Sequence, residues 1–129
     1  MRFLTVEEVL SIHDDQLQEQ CGGGATGLRS LDLLQSAVAQ PEASFSGELL
    51  HQTVWDQAAA YAYHLARNHP FVDANKRTAL NAALTFLLLN GYTLRSGTDD
   101  ELVDMMVQIA EGRLDKEAVS AVLRSLAEP

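Results

Sequence analysis

Nine residues near the middle of the chain, His69 to Arg77, read His-Pro-Phe-Val-Asp-Ala-Asn-Lys-Arg and gather a base, a carboxylate, an amide and two cations. Proline at 70 disfavours helical geometry for His69, so a helix should stop there. A tight loop then carries Phe71 to Ala74, and a new helix begins near Asn75. The first-turn N–H groups of that helix would have no intrahelical acceptor and would carry partial positive charge, which makes an anion site. Beside it, Asp73 is suited to hold a cation, Arg77 to clamp phosphate and His69 to accept a proton. Phosphoryl transfer needs positioning and charge neutralisation more than covalent chemistry. Helix amides, Arg77 and a metal on Asp73 supply those terms. A histidine titrates near neutral pH and contributes about 10²–10⁴-fold as a general base. Any one of these residues could instead be a helix cap or a surface charge. Their grouping within nine positions favours chemistry.

Two helices must position this loop. The one before it should run from Leu49 to Asn68, with Leu50, Val54, Ala58, Tyr61 and Leu65 on one stripe and Ala59, Ala62 and Ala66 on the next. Small residues at that spacing let another helix approach closely, so this helix should be central. The helix after the loop, Thr78 to Asn90, is apolar almost all round and reads as buried. Arg77 and Asn81 are four apart, hence on one face of it. Asn81 either bonds a structural group or extends the phosphate site below Arg77, and spacing leaves both open.

Elsewhere Thr5-Val-Glu-Glu8 forms a capping box opening the first helix, on which Val6, Val9, Leu10, His13 and Leu17 share a face. His13 reads as a hydrogen-bonded residue at the core edge rather than a ligand, and His64 as structural. Gly22, Gly23, Gly24 and Gly27 lack the preceding strand and the Lys-Ser/Thr of a phosphate-gripping loop, so they read as a connector. Ser30 should cap a second helix that Pro41 ends. Residues 41 to 48 are polar and irregular; they make a connector or a substrate-docking flap, and sequence favours the connector. Asn90-Gly91 closes the helix after the loop. Tyr92 to Leu94 should be briefly extended. A second capping box is expected at Thr98 to Glu101, a helix break at Gly112 and a last helix capped by Asp115. Met105 and Met106 read as packing residues.

The 129 residues fit one domain, residues 1–129, and the helical periodicity throughout predicts an all-α compact bundle of about six helices, with the active loop between the third and fourth. A formal charge of −9 and a pI near 4.7 disfavour a broad nucleic-acid-binding face. No membrane span or leader peptide is expected, and the single cysteine, Cys21, suits a reducing cytoplasm.

The central stretch resembles the signature of the Fic/Doc family, His-x-Phe-x-(Asp/Glu/Asn)-(Gly/Ala)-Asn-(Gly/Lys)-Arg, and meets all seven specified positions. Ala74 and Lys76 place it nearer the Doc (death-on-curing) toxins than the larger Fic enzymes. Leu4 to Val9, Gly27 to Ser30 and Leu33 to Ala37 followed by Pro41 extend the resemblance over most of the chain. The resemblance implies that His69 deprotonates a target hydroxyl, Phe71 packs inward, Asp73 binds magnesium, Asn75 and the helix-start amides form the anion hole, and Arg77 holds phosphate. Lys76 would be part of the nucleotide site. It stands where adenylyl-transferring Fic enzymes carry glycine, and in the Doc type that goes with reversed ATP binding and γ-phosphate transfer to a Ser/Thr hydroxyl of a translation factor, elongation factor Tu. Leu80 stands at the second arginine of Fic enzymes, which further weakens adenylyl transfer. Val107 to Gly112 comes near the family's inhibitory helix motif but starts with valine, so restraint would come from a separate antitoxin with a disordered segment that folds on docking. Two other readings stay in play: adenylyl transfer, and a catalytically inactive partner-binding module.

Overall fold

A computed structural model describes residues 1–19 and 27–128; Cys21 and the glycine connector from Gly22 to Gly24 lie outside the described residues. Six α-helices occur among them: α1 (Val6–Glu19), α2 (Leu31–Ala39), α3 (Val54–Asn68), α4 (Asn75–Leu89), α5 (Asp99–Ala110) and α6 (Lys116–Ser125). A 3₁₀ turn (Gln40–Glu42) and two short strands, β1 (Ser44–Phe45) and β2 (Glu48–Leu49), connect α2 to α3. The architecture is the expected all-α bundle, with the loop of interest between α3 and α4.

Helix α3 is its axis. It packs most extensively on α4 and also contacts α6, α2 and α5. The alanine stripes explain this: Ala58, Ala59, Ala60 and Ala62 are wholly buried, with Tyr61 beside them. On α4, Ala79, Ala82 and Ala83 are equally buried, so the two backbones approach across small side chains. Phe86 and Tyr61 meet at 5.2 Å between ring centroids.

Local signals fix most helix starts. Thr5 Oγ1 accepts from Glu8 N–H, while Glu8 Oε1 accepts from Thr5 N–H, which is the reciprocal capping box expected. Ser30 and Asp115 cap α2 and α6 through Leu33 N–H and Ala118 N–H.

Four expectations need correction. Helix α3 starts at Val54, not Leu49, because Glu48 and Leu49 pair with Phe45 and Ser44 as an antiparallel hairpin and Thr53 supplies the cap to Asp56 N–H. Leu50 therefore falls outside the core stripe and is exposed. Thr98 does not close a capping box: its backbone is not extended, and its hydroxyl donates to Arg95 C=O at 3.0 Å, completing the preceding turn instead. Helix α4 is not buried all round, since Leu88 and Leu89 are exposed; the chain is too small to cover both faces of its last turn. Leu94 forms the expected brief extended contact, as an isolated bridge to Ala127. No helix among the described residues is long and apolar enough to cross a membrane.

Candidate active site

Loop 70–73 is flanked by two left-handed residues. His69 ends α3 at φ 52° and ψ 53°, and Ala74 precedes α4 at φ 63° and ψ 27°. An L-residue with a Cβ pays about 1–2 kcal/mol for this conformation. It persists only where surrounding contacts over-determine it, and the loop has such contacts on three sides.

From within, Asn75 is buried and its side chain grips Phe71 twice: Oδ1 accepts from Phe71 N–H at 3.0 Å and Nδ2 donates to Phe71 C=O at 2.9 Å. From α1, His13 stacks on Phe71 with ring centroids 3.8 Å apart and planes 7° from parallel. Its Nε2 lies 2.9 Å from Asp73 C=O; a carbonyl can only accept, so that nitrogen carries the proton. From the approach to α2, residues 27–30 run antiparallel to the loop. Val72 N–H donates to Gly27 C=O at 3.0 Å, and the amides of Arg29 and Ser30 both donate to Pro70 C=O at 2.7 and 3.1 Å.

The first intrahelical bond of α4 runs from Thr78 N–H to Ala74 C=O at 3.0 Å. The amides of Asn75, Lys76 and Arg77 therefore have no helical acceptor, and no side chain caps this end. A cavity of about 330 Å³ opens against them, lined by His69, Val72, Asp73, Ala74, Asn75, Lys76, Arg77 and Ala110. Its size falls at the small end of small-molecule sites. Five of the six residues singled out from sequence, His69, Asp73, Asn75, Lys76 and Arg77, thus face one space. Asn81 does not line it: its Nδ2 donates to Arg77 C=O at 2.9 Å, one turn back on the same helix. Asn75 lines the cavity, but its amide is engaged by Phe71, so what it offers an anion is its backbone N–H.

The imidazole at 69 is exposed, and its Nδ1 sits 3.3 Å from Ala66 C=O. With a carbonyl as partner Nδ1 must be the donor, through a long and weak bond, which leaves Nε2 as the lone-pair nitrogen. Asp73 uses Oδ1 to accept from its neighbour Ala74 N–H at 2.7 Å, leaving Oδ2 for other partners. One carboxylate with a free oxygen fits magnesium that arrives already bound to phosphates and water.

Two contacts were invisible in sequence. The sequence makes His13 a core-edge residue with a hydrogen bond, which it is, but the carbonyl it holds belongs to Asp73. Arg29 carried no chemical signal of its own; it donates from Nε to His69 C=O at 2.6 Å and from a terminal nitrogen to Asn68 C=O at 2.9 Å.

Comparison with known proteins identifies the family. The model of the Fic/DOC family matches residues 3–87, which contain α1 to α4 up to Leu87 and the whole loop. The chain is 42% identical over 106 residues to Toxin Doc of Mycolicibacterium smegmatis, covering 81% of this chain and 82% of the relative. It is 33% identical over 126 residues to Protein kinase doc of Escherichia phage P1, covering 98% and 96%. The chain belongs to the Fic/Doc family. Both relatives are of the Doc type that Ala74 and Lys76 anticipate.

Proposed function

We propose that this protein is the toxin of a toxin–antitoxin pair and a kinase that moves the γ-phosphate of ATP onto a Ser/Thr hydroxyl of a translation factor, elongation factor Tu by family resemblance. The observation that carries the reading is the convergence of a free imidazole nitrogen, a carboxylate oxygen and an uncapped helix start with Lys76 and Arg77 on one cavity. The relatives' names, toxin and protein kinase, support it.

In this reading His69 Nε2 takes the hydroxyl proton as the oxygen attacks the γ-phosphorus. The bond from that phosphorus to the bridging β,γ-oxygen breaks, and ADP leaves. Arg77 and the amides of α4 hold the phosphate oxygens, as the helix dipole favours. Lys76 adds a point charge at the same end. Asp73 would hold magnesium, which when bound neutralises phosphate charge. Phe71, locked by Asn75 and His13, keeps His69 and Asp73 at fixed separation across the loop.

The test uses purified protein, magnesium, elongation factor Tu and ATP labelled at either the γ- or the α-phosphate. Label from γ-ATP on the target, lost in His69→Ala and Asp73→Asn, is the expected result. Label from α-ATP overturns phosphotransfer in favour of adenylyl transfer. A His69→Ala variant as toxic as the parent, together with no nucleotide binding, returns the inactive-module reading.

The antitoxin would supply an amphipathic segment that folds on docking. Two apolar clefts, of about 110 and 270 Å³, open along the seam between α4 and α5, lined among others by Leu80, Val103, Met106 and Val107 in one and Leu84, Leu88 and Leu102 in the other. The first shares Lys76 and Arg77 with the active cavity, and Asp99 lines the second. Arg95 also lines the second, so that seam suits an apolar helix face with an acidic flank toward Lys76 and Arg77. Val103→Asp should abolish co-purification with the antitoxin while leaving toxicity; retained co-purification rules the seam out.

A further inference from the structure

We infer that Arg29 is a positioning residue for His69, acting through the backbone that sets the direction of the imidazole. The inference rests on the catalytic reading of His69 above and adds a residue to its machinery.

The argument starts from what the loop lacks. Helix α3 ends at Asn68, so the carbonyls of Asn68 and His69 have no donor from a following helical turn. Residue 70 is proline, whose ring removes the N–H that might have tied the turn down locally. His69 must nevertheless hold φ 52° and ψ 53°, a conformation that a residue with a side chain does not keep unaided. The missing donors come from a segment 40 residues earlier in the chain. The guanidinium of Arg29 bonds both orphan carbonyls, Nε to His69 C=O at 2.6 Å and a terminal nitrogen to Asn68 C=O at 2.9 Å. Its backbone N–H takes the next carbonyl, that of Pro70, at 2.7 Å. One residue thus holds three successive carbonyls, 68 to 70, with its fork and its amide. A cation at the C-terminal end of α3 also complements the helix dipole.

Fixing those carbonyls fixes ψ at Asn68 and His69, and so the direction in which the His69 side chain leaves the backbone. That direction places Nδ1 against Ala66 C=O and leaves Nε2 for the substrate proton. Arg29 is not among the residues lining the cavity, so it does not reach the reacting atoms itself. Lysine could offer charge but not two bonds in a fixed plane.

The test compares wild type, Arg29→Ala, Arg29→Lys and Arg29→Gln with ¹⁵N-labelled histidine, the His69 ring assigned by its loss in His69→Ala. In wild type the His69 ring is expected to favour the Nδ1-protonated tautomer. In Arg29→Ala it is expected to become a mixture, and the γ-phosphate transfer rate to fall about 10²-fold, as for a small misplacement of a catalytic group. KM for magnesium–ATP should stay within about twofold, the pattern of an interaction that acts only in the transition state. Arg29→Lys should fall between the two. An Arg29→Ala protein that keeps the wild-type tautomer and rate, or loses only melting temperature, overturns the inference. Should Arg29→Ala not fold, Arg29→Lys and Arg29→Gln decide by the same two readouts. If wild type transfers no phosphate at all, the proposed function fails, while the tautomer comparison still decides whether Arg29 orients the ring.

Discussion

His13 and Asp73 are 60 residues apart in the chain, yet the imidazole Nε2 of the first lies 2.9 Å from the backbone carbonyl of the second. The same ring lies flat on Phe71. A side chain on α1 therefore holds the loop that carries the candidate metal-holding acid. His13→Phe keeps the stacking and removes the donor, leaving a carbonyl in a partly buried place without its partner. We expect a loss of about 1–3 kcal/mol in urea unfolding, the usual cost of such an orphan. Phosphate transfer should fall in the same variant, measured on protein that is fully folded. An unchanged unfolding midpoint would show that this bond does not restrain the loop.

Ala74 offers a second test, because the start of α4 depends on its left-handed backbone at φ 63°. Ala74→Gly removes the Cβ penalty and adds chain entropy to the unfolded state, two effects of about 1 kcal/mol each and opposite sign. The variant should fold with nearly unchanged stability. Ala74→Val places a β-branched side chain where such residues are genuine outliers, at a buried position. It should lose about 2–3 kcal/mol, the range expected for strain combined with overpacking. Chemical denaturation of the pair checks both, and a Val variant as stable as Gly would argue that the loop does not need this conformation.

Acid sensitivity should arise away from the active cavity, where α3 meets α6. Burial pushes the His64 imidazole down to about 4, with the charges of Lys116 and His51 adding to the effect. Burial and Lys116 also lower His51, whose Nε2 accepts from the Lys116 ammonium at 3.1 Å. In both cases the unfolded chain binds a proton more readily than the folded one. Stability is therefore full above the ordinary histidine range near 6.5 and declines as pH falls toward 4. Lys116→Met removes a cause common to both shifts, and His64→Phe removes one titrating group. Each variant should flatten the fall in urea midpoint between pH 7 and pH 4.5 relative to wild type. Parallel curves for all three proteins would place the acid sensitivity elsewhere.

Arg77 and Lys76 share the cavity but should not be interchangeable in effect. Arg77 is half-buried and can hold phosphate bidentately, whereas Lys76 is exposed. Arg77→Lys should weaken ADP–magnesium binding by about tenfold or more, the scale of one lost charge-assisted bond. Lys76→Gly should weaken it less and shift the label test toward α-phosphate, if Lys76 sets nucleotide orientation as the family resemblance implies. Calorimetric titration with ADP and the two-label assay read these separately.

Much of this molecule could be read along the chain. The cap residues Thr5, Ser30 and Asp115 act within three residues of themselves, and such short-range chemistry is complete in the sequence. The alanine stripes of α3 announce a close helix contact because a period of 3.6 residues projects them on adjacent faces. The cluster His69 to Arg77 was legible because its residues are close neighbours in the chain, although distant segments hold the loop in shape.

Tertiary structure decided the rest. Nothing local in Thr98 says that its hydroxyl will turn back to Arg95, or that Glu48 and Leu49 will pair as a hairpin instead of opening α3. Nor does spacing say that the Asn81 amide will donate to Arg77 C=O. Above all, sequence named the residues that can do chemistry but not the ones that hold them still. His13 and Arg29 reach the loop across 60 and 40 residues, and bonds to backbone carbonyls leave no mark in residue type. Residue identity specifies which groups can take a proton or grip a phosphate; only the packed fold, by saturating the loop's orphan carbonyls, specifies where those groups point.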